Sequence, residues 1–190
     1  MQTKPKITIS PGFFVFWTAM IMLEPCVWLG YIAAAMALHE AGHLICILLT
    51  GCGIDRIRFC ASGIEIERSR TLGAYTADAI VSLAGPIMSF IGGSGLLFTA
   101  TEARFFGAAS LMLGTVNALP IRHLDGGAAA YALICIFANE ERARRISRAL
   151  SLIFCVMLWM AAVWIMLVTG GNFSLFALSA VLFTSTAFGL

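Results

Sequence analysis

The chain has 190 residues, of which 60% are apolar and only 12% charged, and its mean hydropathy is +0.93. Soluble domains carry roughly a quarter charged residues, so this composition excludes an ordinary soluble protein and fits a polytopic membrane protein with the lipid bilayer as partner. A net charge of +2, with no basic run interleaved with aromatics, excludes nucleic acid as a partner.

The N-terminus, MQTKPKITISPGFF, places two lysines before an apolar run. No A-x-A-like cleavage site follows, so a retained span is expected rather than a signal peptide. This first span is the uncharged stretch 7–23, up to Glu24-Pro25, with an accessory helix expected over about 8–24. A second span, about 27–49, is interrupted only by His39, Glu40 and His43. The long loop 51–75 contains IRFCASGIEIERSR, where apolar and polar residues alternate around a glycine; this predicts a small β-hairpin. Glu65 and Glu67 read there as a solvated strand face. A third span covers 79–101, with Asp78 as a favourable negative charge at its start. After the short turn TEAR, a fourth span covers 105–136, broken by Arg122, His123 and Asp125. NEERARRISR, 139–148, reads as a solvated helix end. The last uncharged run, 149–190, has 42 residues and holds two spans hinged at TGGN, 169–172.

The predicted fold is therefore all-α: six transmembrane helices with a small β-hairpin in the first cytoplasmic loop, as one membrane-embedded domain over 1–190. The core is expected at about 27–136, with accessory helices at about 8–24 and 149–190. Orientation follows from Lys and Arg. Lys4, Lys6, Arg56, Arg58, Arg68, Arg70, Arg142, Arg144, Arg145 and Arg148 all fall inside if the N-terminus is cytoplasmic. Both termini are then cytoplasmic. The six cysteines form no CxxC pair and read as small apolar residues rather than disulfides or thiolate ligands.

The second span carries HEAGH, residues 39–43. Positions i and i+4 share one face of a helix, so His39 and His43 can bind one Zn²⁺ through imidazole nitrogens. Glu40 sits beside them, where it can take a proton from a water activated by the metal. Ionisable residues at membrane depth are costly unless they are paired or line a polar cavity. A polar cluster without metal, packed between helices, is the bland alternative. A catalytic zinc wants a third protein ligand and one open position. Asp125 is the candidate. His43 and His39 lie about 9 to 15 Å from the inner end of their span, and Asp125 about 16 Å from the end of its own, at 1.5 Å per residue. Around Asp125 the sequence reads GTVNALPIRHLDGG. Pro120 can open the helix, and Gly126 and Gly127 allow another backbone to come close. Non-helical backbone at this depth is tolerated where it lines a cavity or is buried in protein. Asn117 can offer an amide to a substrate backbone or an oxyanion. A kinked structural helix with a paired aspartate is the alternative there.

Together, HEAGH and NALPIRHLDGG (Asn117 to Gly127) resemble the site-2 protease family of intramembrane zinc metalloproteases, whose pattern is HExxH plus NxxPxxxLDG. The similarity runs from about residue 8 to about residue 136 and includes Ala84-Gly85-Pro86. Two helices after LDG make the layout most similar to the short bacterial branch that includes the sporulation factor releasing a sigma factor from its pro-sequence. The resemblance implies His39, His43 and Asp125 as zinc ligands, one zinc per chain, and Glu40 as catalytic base. It implies Asn117 as a substrate or transition-state contact, and β-pairing of the cleaved segment with the inner loop. It implies regulated intramembrane proteolysis of a membrane-spanning or membrane-associated protein near the cytoplasmic face, in a bacterial cell membrane, with a regulatory membrane partner as a further expectation. The chain departs from the family at Ser89, where Asn is usual in AGPxxN, and at Arg122 and His123. His123 reads either as a partner or ligand of the metal site or as a packing residue; Arg122 as paired with a carboxylate or snorkelling. A PDZ or CBS domain, common in the family, has no room in these residues. Two rival functions remain: a catalytically silent homologue that binds without cutting, and a zinc transporter.

Overall fold

A computed structural model describes residues 6–14, 18, 22, 26–51, 53–60, 63–68, 75–99, 101–169 and 173–188. In chain order the elements are β1 (Lys6–Ile9), α1 (Cys26–Thr50), β2 (Ile54–Cys60), β3 (Gly63–Arg68), α2 (Tyr75–Leu96), α3 (Thr101–Asn117), α4 (Asp125–Phe137), α5 (Glu140–Thr169) and α6 (Phe173–Phe188). Among the described residues, three helices are long and apolar enough to cross a membrane: Val27–Thr50, Tyr75–Leu96 and Glu140–Thr169. The apolar α4 is shorter, at Asp125–Phe137.

The first predicted span begins too early. Lys6–Ile9 is a strand, and helical residues appear only from Pro11. The sequence explains the correction: Lys-Ile-Thr-Ile alternates with a period of two and is rich in β-branched residues, which favour a pleated surface. Pro11 then suits the first position of a helix, where a missing N–H costs nothing. Most of the remainder of 7–23 lies outside the described residues. The predicted hairpin is present. β2 and β3 pair antiparallel, with Arg58 opposite Glu65 and Arg56 opposite Glu67. β1 adds to β2 in parallel, making a three-stranded sheet of order β1-β2-β3. The register sets Lys6 and Thr8 beside Arg56 and Arg58, and Ile7 and Ile9 beside Ile57 and Phe59. One side of this sheet is therefore polar and the other apolar, and the Phe13 ring packs edge-on against Phe59 on the apolar one.

The expected span 105–136 is two helices. α3 ends at Asn117 and α4 starts at Asp125, with 118–124 irregular between them. Pro120 lacks an N–H to continue the ladder, and the residue before a proline is pushed out of the helical region. The TEAR segment also differs from the expected turn: Glu102 to Arg104 form the start of α3. The helices on either side of TGGN end at Thr169 and begin at Phe173; residues 170–172 lie outside the described set.

α2 sits at the centre, packed against α1, α3 and α4. Small residues allow this. A Cβ on Gly42 of α1 would stand 2.6 Å from the Ala84 carbonyl oxygen of α2, and one on Gly93 of α2 would stand 2.9 Å from the Gly107 carbonyl oxygen of α3. Close backbone contact through small side chains is how helices associate where lipid supplies no hydrophobic drive. α5 and α6 form a hairpin of their own, joined to the centre through α4 and through the irregular segment 118–124. Asp78 falls in the first turn of α2, as expected for a charge that complements the helix dipole. Cys46, Cys135 and Cys155 are free thiols.

Candidate metal centre

His39 and His43 lie mid-way along α1, one turn apart, on the face turned towards α2. They are 4% and 9% exposed, unusual for side chains that carry two polar nitrogens each. Their burial follows from Gly85 of α2. A Cβ there would fall 2.2 Å from Nε2 of His43 and 2.7 Å from Nε2 of His39. The bare backbone of α2 at this point is the space into which both imidazoles fit.

Each imidazole is held from behind. Nδ1 of His43 lies 2.8 Å from the main-chain oxygen of Val81, and Nδ1 of His39 lies 2.9 Å from Oγ of Ser89. A carbonyl can only accept, so Nδ1 of His43 carries the hydrogen and its Nε2 presents a lone pair. The Nε2 atoms then face each other at 3.3 Å. Asp125 arrives from the first turn of α4, and its Oδ2 stands 2.9 Å from Nε2 of His39 and 3.2 Å from Nε2 of His43. Among the described residues, these three side chains are the group of His, Cys, Asp or Glu able to share one metal ion.

The fit to zinc can be tested on these distances. Zinc takes imidazole nitrogen and carboxylate oxygen at about 2.0–2.1 Å in tetrahedral geometry, which sets donor atoms about 3.3–3.4 Å apart. Separations of 3.3 and 3.2 Å match, and the third, 2.9 Å, needs to open by a few tenths of an ångström. The chemistry matches too. A carboxylate and the Nε2 of an Nδ1-protonated imidazole are both acceptors, and they point at one another in a dry site. One cation satisfies all three donors together. The ring hydrogens held by Val81 and Ser89 are the outer support that metal-ligating histidines ordinarily have.

Asp125 reaches this point because the chain folds back on itself. A Cβ on Gly126 would stand 2.1 Å from the Ala118 carbonyl oxygen, and one on Gly127 would stand 2.0 Å from that of Ile121. The backbone that the sequence expected these glycines to admit is thus the irregular segment 118–124 just before them. Ile121, fully buried, anchors that segment among Cys155 of α5 and Leu182 of α6.

The remaining candidates fall as follows. Glu40 is half-buried and within electrostatic reach of His43, His39 and Asp125 without belonging to the ligand group. Asn117 ends α3; its Nδ2 donates to the Leu113 carbonyl at 3.1 Å, which uses one of its two amide hydrogens. Arg122 and His123 are exposed, and His123 stays outside the ligand group. The main-chain N–H of Arg122 donates to Ser151 Oγ at 2.9 Å. Three contributors escape a reading of motifs: the Val81 carbonyl, the Ser89 hydroxyl and Ser151. A carbonyl leaves no trace in residue identity. Ser89 did leave one, as the departure from the usual Asn.

No protein-family model matches the sequence, and no curated protein does. Among solved structures, the chain is similar to the Site-2 Protease from Methanocaldococcus jannaschii, with a TM-score of 0.70 over 98% of this chain and 92% of that one. The chain has the site-2 protease fold. Sequence identity across that alignment is 19%, so the shared property is the fold, and the chemistry has to be argued from this chain's own residues. The site-2 protease fold and three long apolar helices together make this a membrane protein.

Proposed function

We propose that the chain is a site-2 protease: a zinc metalloendopeptidase that cuts a membrane-spanning or membrane-associated protein near the cytoplasmic face. The observation that carries this reading is the convergence of His39 Nε2, His43 Nε2 and Asp125 Oδ2 within 3.3 Å of one another, beside a glutamate that follows the first histidine.

When bound, zinc supplies positive charge that polarises the scissile carbonyl and eases deprotonation of the attacking water. His39, His43 and Asp125 hold it and leave a coordination position open, as a catalytic rather than structural site requires. Glu40 accepts the proton of the attacking water and returns it to the nitrogen of the leaving amine as the tetrahedral intermediate collapses. Asn117, with one amide hydrogen uncommitted to Leu113, is the candidate to stabilise the oxyanion. Residues 27–136 form the catalytic core of a single domain.

The substrate reading follows from backbone chemistry. A transmembrane helix hides its peptide bonds and must unwind before it can be cut. An extended segment needs a strand to pair with, and β3 is an edge of the sheet that directly follows α1. The ten Lys and Arg residues that fall to one side support a cytoplasmic sheet and cytoplasmic termini.

The test is cleavage of a model transmembrane substrate by the full chain in lipid vesicles, comparing wild type with Glu40→Gln. Cleavage should fall by roughly 10²–10⁴-fold, the usual contribution of a general base, while zinc content stays unchanged. A fully loaded wild type that cuts no substrate, or a Glu40→Gln variant as active as wild type, would overturn the reading.

A further inference from the structure

The segment that delivers Asp125 is irregular backbone, and inside a membrane protein such backbone must find partners for its polar groups. Within 118–124 most of these are local. The Ile121 N–H donates to the Leu119 carbonyl at 2.7 Å, and the Leu124 N–H to the Ile121 carbonyl at 2.8 Å. The carbonyl of Pro120 and the N–H of Arg122 are served from elsewhere. Both turn to one atom, Oγ of Ser151 on α5, which accepts from Arg122 N–H at 2.9 Å and donates to Pro120 O at 3.3 Å. A hydroxyl can do both at once. Ser151 is 1% exposed, so no solvent replaces it. Immediately beside this bond, Ile121 is packed against Cys155 one turn further along α5 and Leu182 of α6.

We infer that Ser151 is a positioning residue for the metal centre: it pins the segment 120–122 so that α4 begins where Asp125 meets the two histidines. The inference rests on the proposed zinc site. On this view the α5–α6 hairpin, which the sequence suggests is accessory, is part of what builds the centre. Without the hydroxyl, one buried N–H and one buried C=O lose their partner together, and the cheapest repair is movement of the loop that carries Asp125.

Ser179 supplies the control. It is equally buried, at 0% exposure, and sits in the same hairpin, but its hydroxyl donates within its own helix to Phe176 O at 2.8 Å. Ser179→Ala removes the same chemistry without touching the ligand loop. The experiment compares the purified full chain with Ser151→Ala, Ser151→Cys and Ser179→Ala. Zinc affinity is read by chelator competition, and ligand geometry by the visible spectrum of the Co²⁺-substituted protein. Loss of an outer partner costs metal sites about 10–100-fold in affinity, and an effect near tenfold is expected for Ser151→Ala, with an altered cobalt spectrum. Ser179→Ala should match wild type in both. Ser151→Cys, which keeps a weak donor and acceptor, should recover part of the loss.

Hydrogen exchange on the metal-free proteins gives a second readout: protection at the Arg122 amide should fall in Ser151→Ala and persist in Ser179→Ala. A Ser151→Ala protein with wild-type affinity, cobalt spectrum and Arg122 protection would overturn the inference. So would equal losses in Ser151→Ala and Ser179→Ala, which would mean general softening of the hairpin. If wild type binds no zinc while Arg122 protection still depends on Ser151, the metal reading fails and the loop clamp survives it.

Discussion

The centre is built by two regions of opposite character. His39 and His43 stand on an uninterrupted helix, and their relation to each other is fixed by four residues of regular backbone. Asp125 follows a broken stretch, and its relation to His39 spans 86 residues of chain. A helix carries its side chains to fixed places whatever surrounds it. An irregular loop goes where its neighbours hold it, here by a serine from α5, an isoleucine plugged into α5 and α6, and two glycines that let α4 start against its own approach. The histidine half should therefore fail through sterics at α2, and the aspartate half through loosening of the loop.

The largest expected effect in the histidine half comes from Gly85→Ala. The new methyl would overlap both imidazoles, at 2.2 and 2.7 Å from their Nε2 atoms. Neither ring can retreat without leaving Val81 or Ser89. Stoichiometric zinc binding should be lost while circular dichroism still reports a helical protein. Wild-type zinc content in Gly85→Ala would break the account of how the histidines are seated. An intermediate effect belongs to Ser89→Ala, which removes the partner of His39 Nδ1 but no ligand. Zinc affinity should fall by about 10–100-fold, the range for outer partners, with little change in thermal unfolding. Ser89→Asn should keep much of the affinity if its amide oxygen reaches the same nitrogen. The smallest effect is expected far from both regions. Tyr75 at the start of α2 donates to Glu140 at the start of α5 at 2.5 Å, on an exposed surface. Tyr75→Phe should leave zinc affinity unchanged, since exposed pairs contribute little. A loss there comparable with Ser89→Ala would mean that the α5 end is tied to the centre by more than Ser151.

The same contrast explains what could be read from the sequence. The histidine pair was legible because i and i+4 spacing needs no tertiary knowledge, and the hairpin because alternation marks a strand. Asp125 was legible through its surroundings: a proline that opens a helix and two glycines that admit a backbone. What stayed hidden was which backbone, because its identity depends on the fold of 118–124. The extent of the break was hidden too, since an apolar run of 105–136 looks the same whether one helix or two cross it. β1 was missed for a related reason. Lys6–Ile9 adjoins a long apolar run, and uncharged length outweighed a short alternating pattern whose partner, β2, lies some fifty residues on. The role of Ser151 lay beyond sequence reasoning, because a serine in an apolar helix is ordinary until its hydroxyl is seen between two main-chain groups.

The most direct test of the central claim is the metal content of the purified, folded full chain, with the ligand atoms read by X-ray absorption at the zinc edge, in wild type and Asp125→Ala. The account predicts one zinc per chain held by nitrogen and oxygen donors including two imidazoles, and its loss or marked weakening in Asp125→Ala. Folded wild-type protein that takes up no zinc, or zinc held by sulfur, or zinc bound equally well without Asp125, would contradict it.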